Sequence, residues 1–178
     1  MFGDGSLTFR EFASREPLPL ARIHDAVLEF LRGRDNVALI GAHAVNAYVD
    51  ESRMSQDVDV LSLDSETLSE KIRSFLVERF HITVCVHLVD GGKRIRIFQA
   101  REPKNRHFVD IWSVRALPPT QLVSEVLVVS PPELIANKVM AISRHHDKAM
   151  AGTDWRDVAV LLLRFPEMQT MTGPVRVR

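Results

Sequence analysis

Two aspartates, Asp57 and Asp59, stand two positions apart in a short alternating run that ends at Leu61. Side chains in a strand repeat with a period of two, so this spacing directs both carboxylates to the same face. Neighbouring carboxylates repel each other, and burial increases the penalty. A divalent cation relieves the repulsion, and carboxylate oxygens suit Mg²⁺. Asp-x-Asp also occurs at solvated strand edges, so the pair needs support from other residues.

A third acid, Asp110, interrupts an apolar stretch that predicts a strand from His107 to Trp112. A lone carboxylate among apolar residues is costly unless it is paired or binds a metal. If this strand lies beside the one that carries Asp57 and Asp59, three carboxylates converge. Such a set can hold the metal ions of a phosphoryl-transfer centre, and one of the acids can accept a proton from an attacking hydroxyl.

Gly41 directly follows the apolar run Val37 to Ile40 and precedes a segment compatible with a helix. A glycine between a strand and a helix lets a phosphate approach backbone N–H groups. However, a glycine at this position can also serve only to form a tight turn. Its position 16 residues before Asp57 favours the phosphate interpretation.

Composition indicates an ordinary globular protein. Among 178 residues, 46% are apolar and 26% are charged, and 23 Lys and Arg balance 23 Asp and Glu, so a general attraction to nucleic acid is not expected. The single cysteine, Cys85, fits a reducing compartment. No apolar run approaches the ~18 residues that span a bilayer, and no signal peptide is evident. We therefore expect a cytoplasmic protein without membrane contact.

The predicted order of elements is helix, strand, helix, strand, helix, three strands and two helices. This order predicts an α/β (α+β) fold, a mixed β-sheet flanked by helices, with C-terminal helices packed on the core. The first two of these three strands, 81–89 and 93–98, are separated by a Gly91-Gly92 break that predicts a hairpin. We expect Thr153 to cap the last helix and the apolar segment Val158 to Leu163 to be buried.

The chain length predicts one domain. The expected divisions are a leading segment at 1–19, the domain at 20–166 with its C-terminal helices at 131–165, and a loose tail at 167–178. The expected helices cover 20–32, 65–80 and 131 to about 146, and the expected strands cover 37–40, 57–61, 81–89, 93–98 and 107–112.

Two stretches resemble a known family. Ile40-Gly41-Ala42, followed by Arg53-x-Ser55-x-Asp57-Val58-Asp59, resembles the signature of the DNA polymerase β-like nucleotidyltransferase superfamily. Glu133-Leu134-Ile135-Ala136-x-Lys138, with Arg144 and Thr153-Asp154-x-x-Asp157, is similar to the C-terminal helices of the abortive-infection (AbiEii) type nucleotidyltransferases. Some members of that group are toxins of toxin–antitoxin pairs. The resemblance covers roughly residues 22–165.

The resemblance implies a nucleotidyltransferase-like fold and a metal-dependent transfer of a nucleoside monophosphate from a nucleoside triphosphate (NTP) to an acceptor hydroxyl. It implies that Asp57, Asp59 and Asp110 are the catalytic acids and hold Mg²⁺ or Mn²⁺. The acceptor stays open among RNA, a protein and a small molecule, and a cognate antitoxin is a further expected partner. The residues implied to bind the nucleotide are Gly41, Ala42, Arg53, Ser55, Lys138 and Asp154.

Two alternatives to an active enzyme stay open. Ala42 stands where the family pattern has glycine or serine, and the chain is short for the toxin-like members, with little room for an acceptor-binding domain. Both features favour a catalytically degenerate module that binds nucleotides or a protein partner. A pure interaction protein with three incidental acids is the other alternative, and a wide separation of Asp110 from Asp57 and Asp59 would favour it.

The predicted hairpin and the loop after it are rich in basic residues. Such a region is either a solvated sheet edge or a surface that faces RNA or an acidic acceptor. The basic residues are Lys93, Arg94, Arg96, Arg101, Lys104 and Arg106.

Overall fold

A seven-stranded mixed sheet forms the centre of the protein. The structure, a computed structural model, describes residues 16–144 and 150–170. The predicted leading segment up to residue 15, the predicted helix end near 146 and the tail from 171 lie outside the described residues. The strands are β1 Val37–Ile40, β2 Val58–Ser62, β3 Cys85–Val89, β4 Arg94–Gln99, β5 Arg106–Ser113, β6 Thr120–Val123 and β7 Val126–Val129.

Five α-helices accompany the sheet in the described part of the chain. Two short 3₁₀ turns, Asp90–Gly92 and Pro166–Met168, complete the regular structure there. Within residues 16–144 and 150–170, no helix has the length and apolar character needed to cross a membrane. The helices are α1 Leu20–Leu31, α2 Gly41–Asn46, α3 Ser65–Phe80, α4 Pro131–Arg144 and α5 Met150–Arg164.

The sheet order is β3-β4-β5-β2-β1-β7-β6. In the middle, β2 runs antiparallel to β1 and parallel to β5, and β1 runs parallel to β7. Parallel neighbours need long connections, and the segments from β2 to β5 and from β1 to β7 supply them. The prediction of a mixed sheet flanked by helices is confirmed.

One face of the sheet is covered by α1 and α3. Ile95 and Ile97 of β4 and Ile111 of β5 belong to the same buried cluster as Val27 of α1 and Ile72 of α3. Because side chains alternate along a strand, the residues between them, such as Asp110, face away from these helices. The functional candidates therefore lie on the opposite face of the sheet.

Several predicted element limits are wrong. The second strand begins at Val58, so Asp57 precedes it, and β3 begins at Cys85 after His81, which adopts a left-handed conformation with φ 53°. Helix α5 begins at Met150, so Thr153 lies inside the helix instead of capping it. The end of the segment expected to be buried is open to solvent, since Leu163 is 76% exposed.

Candidate active site

Asp59 and Asp110 lie side by side on adjacent parallel strands. The register of β2 and β5 pairs these two residues directly. The sequence-based expectation that the two strands are neighbours is therefore met. Asp57 stands one residue before β2 and is close enough to Asp59 to influence its protonation. The wide separation that would favour an interaction protein is not found.

The carboxylates are held in an electrostatically unfavourable arrangement. Burial, followed by repulsion from Asp57 and Asp110, raises the pKa of Asp59 to about 7, against the opposing effects of a hydrogen bond with Trp112 and of the Lys138 charge. Burial and the charge of Asp110 also raise the pKa of Asp57. A divalent cation would relieve this repulsion, and Mg²⁺ commonly uses one or two carboxylates plus substrate phosphates. The donor set of Asp57 and Asp59 fits such an ion.

Asp110 is neutralised by arginines of the neighbouring strand β4. Arg96 donates from Nε to Oδ1 at 2.8 Å and from Nη2 to Oδ2 at 2.6 Å. Arg94 donates from Nη1 to Oδ2 at 2.9 Å. Among the described residues, no three His, Cys, Asp or Glu side chains are arranged to hold a metal ion. A role of Asp110 as third metal ligand or base stays a prediction.

Gly41 is required where β1 meets α2. Its φ is +73°, a conformation that side chains with a Cβ rarely adopt. A Cβ at this position would lie 2.5 Å from Oδ2 of Asp59. Gly41 therefore leaves room for the Asp59 carboxylate, a reason that the sequence pattern alone does not reveal.

A cavity of about 480 Å³ opens beside Asp59. The charged lining residues are Asp59, Lys93, Lys138 and Asp154, and apolar side chains of β1, β2 and α4 contribute much of the rest. This combination suits a ligand with an apolar body and a charged end. The lining residues are Ile40, Gly41, Asp59, Leu61, Lys93, Trp112, Ser113, Val114, Leu134, Asn137, Lys138, Ala141 and Asp154.

Lys138 is held by two acids of α5. Its Nζ lies 2.7 Å from Oδ1 of Asp154 and 2.8 Å from Oδ2 of Asp157. Asp157 is completely buried and also accepts two hydrogen bonds of 2.8 Å from Arg53. Burial acts to raise the pKa of Asp157, but the bonds from Arg53 and Lys138 hold it below its usual range. This network fixes Lys138 at the cavity wall.

Hydrogen bonds of Asn46 and Ser55 fix the segment that precedes β2. Asn46 of α2 donates to the backbone carbonyl of Arg53 at 2.7 Å and accepts from its N–H at 3.1 Å. Ser55 donates from its hydroxyl to the backbone carbonyl of Asp57 at 2.8 Å. Arg53 and Ser55 therefore position the acids in this structure, and Ala42 is buried at the start of α2.

The sequence did not identify Trp112 as a site residue, and it did not show that Asp157 joins Lys138 to Arg53. Trp112 shares a strand face with Asp110 and hydrogen-bonds to Asp59, and its spacing two residues after Asp110 was the available signal. Asp157 was noted only as a member of the Thr153-Asp154-x-x-Asp157 stretch, and no partner was assigned to it. Its partner Arg53 lies 104 positions away, beyond the reach of local patterns.

The fold and the acid pair define the class as nucleotidyltransferase-like. The sequence profile described as "Nucleotidyl transferase AbiEii toxin, Type IV TA system" matches residues 25–171. The match covers well over half of the chain, and the protein belongs to the AbiEii nucleotidyltransferase family. No curated protein sequence matches the chain.

Solved structures of other nucleotidyltransferase-fold proteins share the fold at low identity. The polyadenylate synthase of Megavirus is 14% identical, with a TM-score of 0.68 over 95% of this chain and 36% of that one. JHP933 from Helicobacter pylori is also 14% identical, with a TM-score of 0.60 over 91% of this chain and 70% of that one. An antigenic nucleotidyltransferase-like protein from Paracoccidioides brasiliensis is 15% identical, with a TM-score of 0.52 over 88% of this chain and 78% of that one. The chain thus spans about a third of the Megavirus protein.

Proposed function

We propose that this protein is a metal-dependent nucleotidyltransferase that moves a nucleoside monophosphate from an NTP to an acceptor hydroxyl. In the proposed reaction, the hydroxyl passes its proton to a carboxylate of the site and its oxygen bonds to the α-phosphorus. The bond from that phosphorus to the bridging oxygen breaks, and pyrophosphate leaves. Membership of the AbiEii family supports the proposal. The toxin–antitoxin context of that family extends it to a cognate antitoxin as partner.

Asp57 and Asp59 would hold Mg²⁺ or Mn²⁺. Such an ion, when bound, neutralises negative charge that develops on the phosphates. Gly41 leaves space at the carboxylates, and Lys138 supplies a positive charge at the cavity wall. We assign nucleotide contacts to Gly41, Ala42 and Lys138, with Arg53, Ser55 and Asp154 as residues that bind or position the nucleotide. Positioning and charge stabilisation account for most of the catalysis expected at such a site.

The observation that carries the proposal is the position of Asp59. Its carboxylate lies at the wall of the cavity that also contains Lys138, and it presses against Gly41 so closely that no side chain fits there. A carboxylate with a raised pKa, beside a cation and an apolar cavity, fits a phosphate-rich ligand with an aromatic base.

A non-catalytic nucleotide-binding module is the second candidate. Both carboxylate oxygens of Asp110 are occupied by Arg94 and Arg96, which removes the third acid from direct metal contact in this conformation. Ala42 also offers no hydroxyl to a phosphate. These two features favour binding without turnover.

The experiment incubates the protein with Mg²⁺, cell extract and each of the four α-labelled NTPs in turn. We expect one NTP to label an acceptor, and we expect Asp59→Asn and Lys138→Met to reduce labelling at least 100-fold. The exposed acid Asp50 provides a matched control, Asp50→Asn, with labelling unchanged. A rise in melting temperature with Mg²⁺ and NTP, but no labelled acceptor, would replace the enzyme with the binding module.

A further inference from the structure

A row of polar side chains crosses four strands on the face of the sheet opposite α1 and α3. The register places Asp59 of β2 opposite Asp110 of β5, Asp110 opposite Arg96 of β4, and Arg96 opposite His87 of β3. Directly paired residues point to the same face of a sheet. The arginine side of this row thus lies immediately beside the candidate catalytic acids.

Arg94 and Arg96 reach solvent where Asp110 does not, and the exposed Asp90 pairs with Arg94. Asp110 is only 2% exposed, whereas the side chains of Arg94 and Arg96 are 20% and 24% exposed. The Asp110 bonds engage Nε and Nη2 of Arg96, so Nη1 keeps its hydrogens for another acceptor. Arg94 is further fixed by an ion pair of 2.8 Å with the exposed Asp90 and by stacking 4.7 Å from the Trp112 ring centroid. Both guanidinium groups are pre-positioned.

The arginines lie outside the candidate nucleotide cavity. Asp59 lines that cavity, but Arg94 and Arg96 are not among its lining residues. Asp57, two residues before Asp59, does not line the cavity either. The charges of Arg96 and His107 act to lower its pKa, so it lies within electrostatic reach of the arginines. In an in-line phosphoryl transfer, the attacking and leaving oxygens occupy opposite sides of the phosphorus. A triphosphate in the cavity would leave the arginine side to the attacking molecule.

We propose that Arg96 and Arg94, positioned by Asp110, bind a phosphate group of the acceptor. This inference rests on the proposed function, since it takes the cavity to hold the NTP. Nη1 of Arg96 can donate to a phosphate oxygen, and an anchored guanidinium loses little freedom when it does so. The phosphate would come from a nucleic acid strand or from a phosphorylated small molecule. Asp110 is then a positioning residue, because it acts through the arginines.

The test measures binding with two probes, a short single-stranded RNA oligonucleotide of mixed sequence and ribose 5-phosphate. We expect the protein to bind at least one probe and Arg96→Gln to weaken that binding about 10-fold or more. If RNA is the preferred probe, its salt dependence also falls by about 0.7 in log–log slope. The matched control is Arg79→Gln, which should bind the probes as the native protein does. Arg79 pairs with Glu29 at 3.0 Å on the side of the sheet that the helices cover. The proposal is overturned if the native protein binds neither probe, or if Arg96→Gln binds both as the native protein does.

A second variant separates positioning from metal binding. We expect Asp110→Asn to weaken probe binding while the melting-temperature rise produced by Mg²⁺ and ATP is retained. In the double variant, which combines Asp110→Asn with Arg96→Gln, the loss of probe binding should be smaller than the sum of the losses in the two single variants. Both substitutions act on the same guanidinium group. Loss of the Mg²⁺ and ATP effect with unchanged probe binding would make Asp110 a metal ligand and overturn its positioning role. Probe binding is measured without any transfer reaction. A failure of the labelling assay would therefore count against the proposed activity and not against the phosphate site at Arg96 and Arg94.

Discussion

Gly41 and Asp59 are in such close contact that a Cβ at position 41 would lie 2.5 Å from the Asp59 carboxylate oxygen. We expect Gly41→Ala to lower the free energy of unfolding by about 3 kcal/mol, because the left-handed backbone costs ~1–2 kcal/mol and the overlap adds to it. Urea unfolding measures the change. Labelling activity should fall as well, since Asp59 must move.

Gly33 provides the matched control for this substitution. Its φ is +69°, close to that of Gly41, but no atom lies within 4 Å of the Cβ that an alanine would add. Gly33→Ala should therefore cost only about 1 kcal/mol. Equal losses in the two variants would show that the contact with Asp59 contributes nothing.

The raised pKa of Asp59 predicts a pH-dependent penalty on folding. Its folded value of about 7 lies above that of an ordinary aspartate, so the folded state binds the proton more tightly than the unfolded state. The contribution of Asp59 to stability is therefore fully present below about pH 4 and is lost as the pH rises through about 7. At pH 8 without divalent cations, Asp59→Asn should raise the free energy of unfolding by on the order of 2 kcal/mol.

Melting curves between pH 4.5 and 8.5 measure this effect, with Asp50→Asn as the exposed control. The advantage of Asp59→Asn should shrink towards pH 4.5, where the native carboxyl is protonated. Saturating Mg²⁺ should also reduce it at pH 8, because the ion stabilises only the charged native site. An advantage that is constant across the whole range would contradict the assigned pKa.

Asp157 is expected to be the most sensitive acid of the Lys138 network. Asp157→Asn leaves Arg53 and Lys138 partly buried without its negative charge, and removal of one partner from a buried pair costs about 3 kcal/mol or more. Asp154→Asn is the comparison, because Asp154 contacts Lys138 alone in this network. Its loss should be the smaller of the two, since Lys138 then keeps Asp157 as a partner. If urea unfolding shows equal losses of free energy of unfolding in the two variants, Asp157 is not the shared partner that holds Arg53 and Lys138 together.

Two buried histidines predict sensitivity to acid. Nε2 of His43 lies 3.3 Å from Nδ1 of His24, and the other ring nitrogen of each has no hydrogen-bond partner among the described residues. Burial lowers the pKa of His24 to about 3 and that of His43 to about 4. Because protons bind the unfolded chain preferentially, stability falls as the pH drops below about 6.5, by roughly 2 kcal/mol per histidine at pH 5.

The His24→Leu variant tests this prediction. The difference in free energy of unfolding between pH 7.5 and pH 5 should be smaller in the variant by about 2 kcal/mol. The control is His87→Leu, whose histidine is exposed on β3, and the change in that difference should be larger for His24→Leu. If His24→Leu and the native protein lose stability equally on acidification, other groups carry the effect.

The sequence predicted the neighbouring carboxylates of Asp59 and Asp110, because each is marked by a pattern within its own strand. Period-two spacing and an acid within an apolar strand pointed to Asp59 and Asp110, and the register of β2 and β5 pairs them. The arginine contacts of Asp110 escaped prediction because they depend on which residue of β4 lies opposite. That register follows from the whole sheet, including the irregularity between Ile97 and Phe98.

The hairpin of β6 and β7 was not predicted. Its turn residues, Ser124 and Glu125, have φ values of 49° and 66°, but they are not the Asn-Gly or Asp-Gly pairs that signal such a turn. A long-range hydrogen bond of 2.8 Å from the Gly33 N–H to the Glu125 carbonyl supports the conformation instead. Tertiary contacts here override local preference.

The parallel pairing of β1 with β7 has a consequence for biosynthesis. Leu39 finds its partner Val128 only after roughly 90 further residues have left the ribosome. At about 5–20 residues per second, the nascent chain carries β1 with one unpaired side for roughly 5–20 s. An apolar strand in that condition is prone to aggregate, so a molecular chaperone that shields residues 37–40 during translation should raise the soluble yield of this protein.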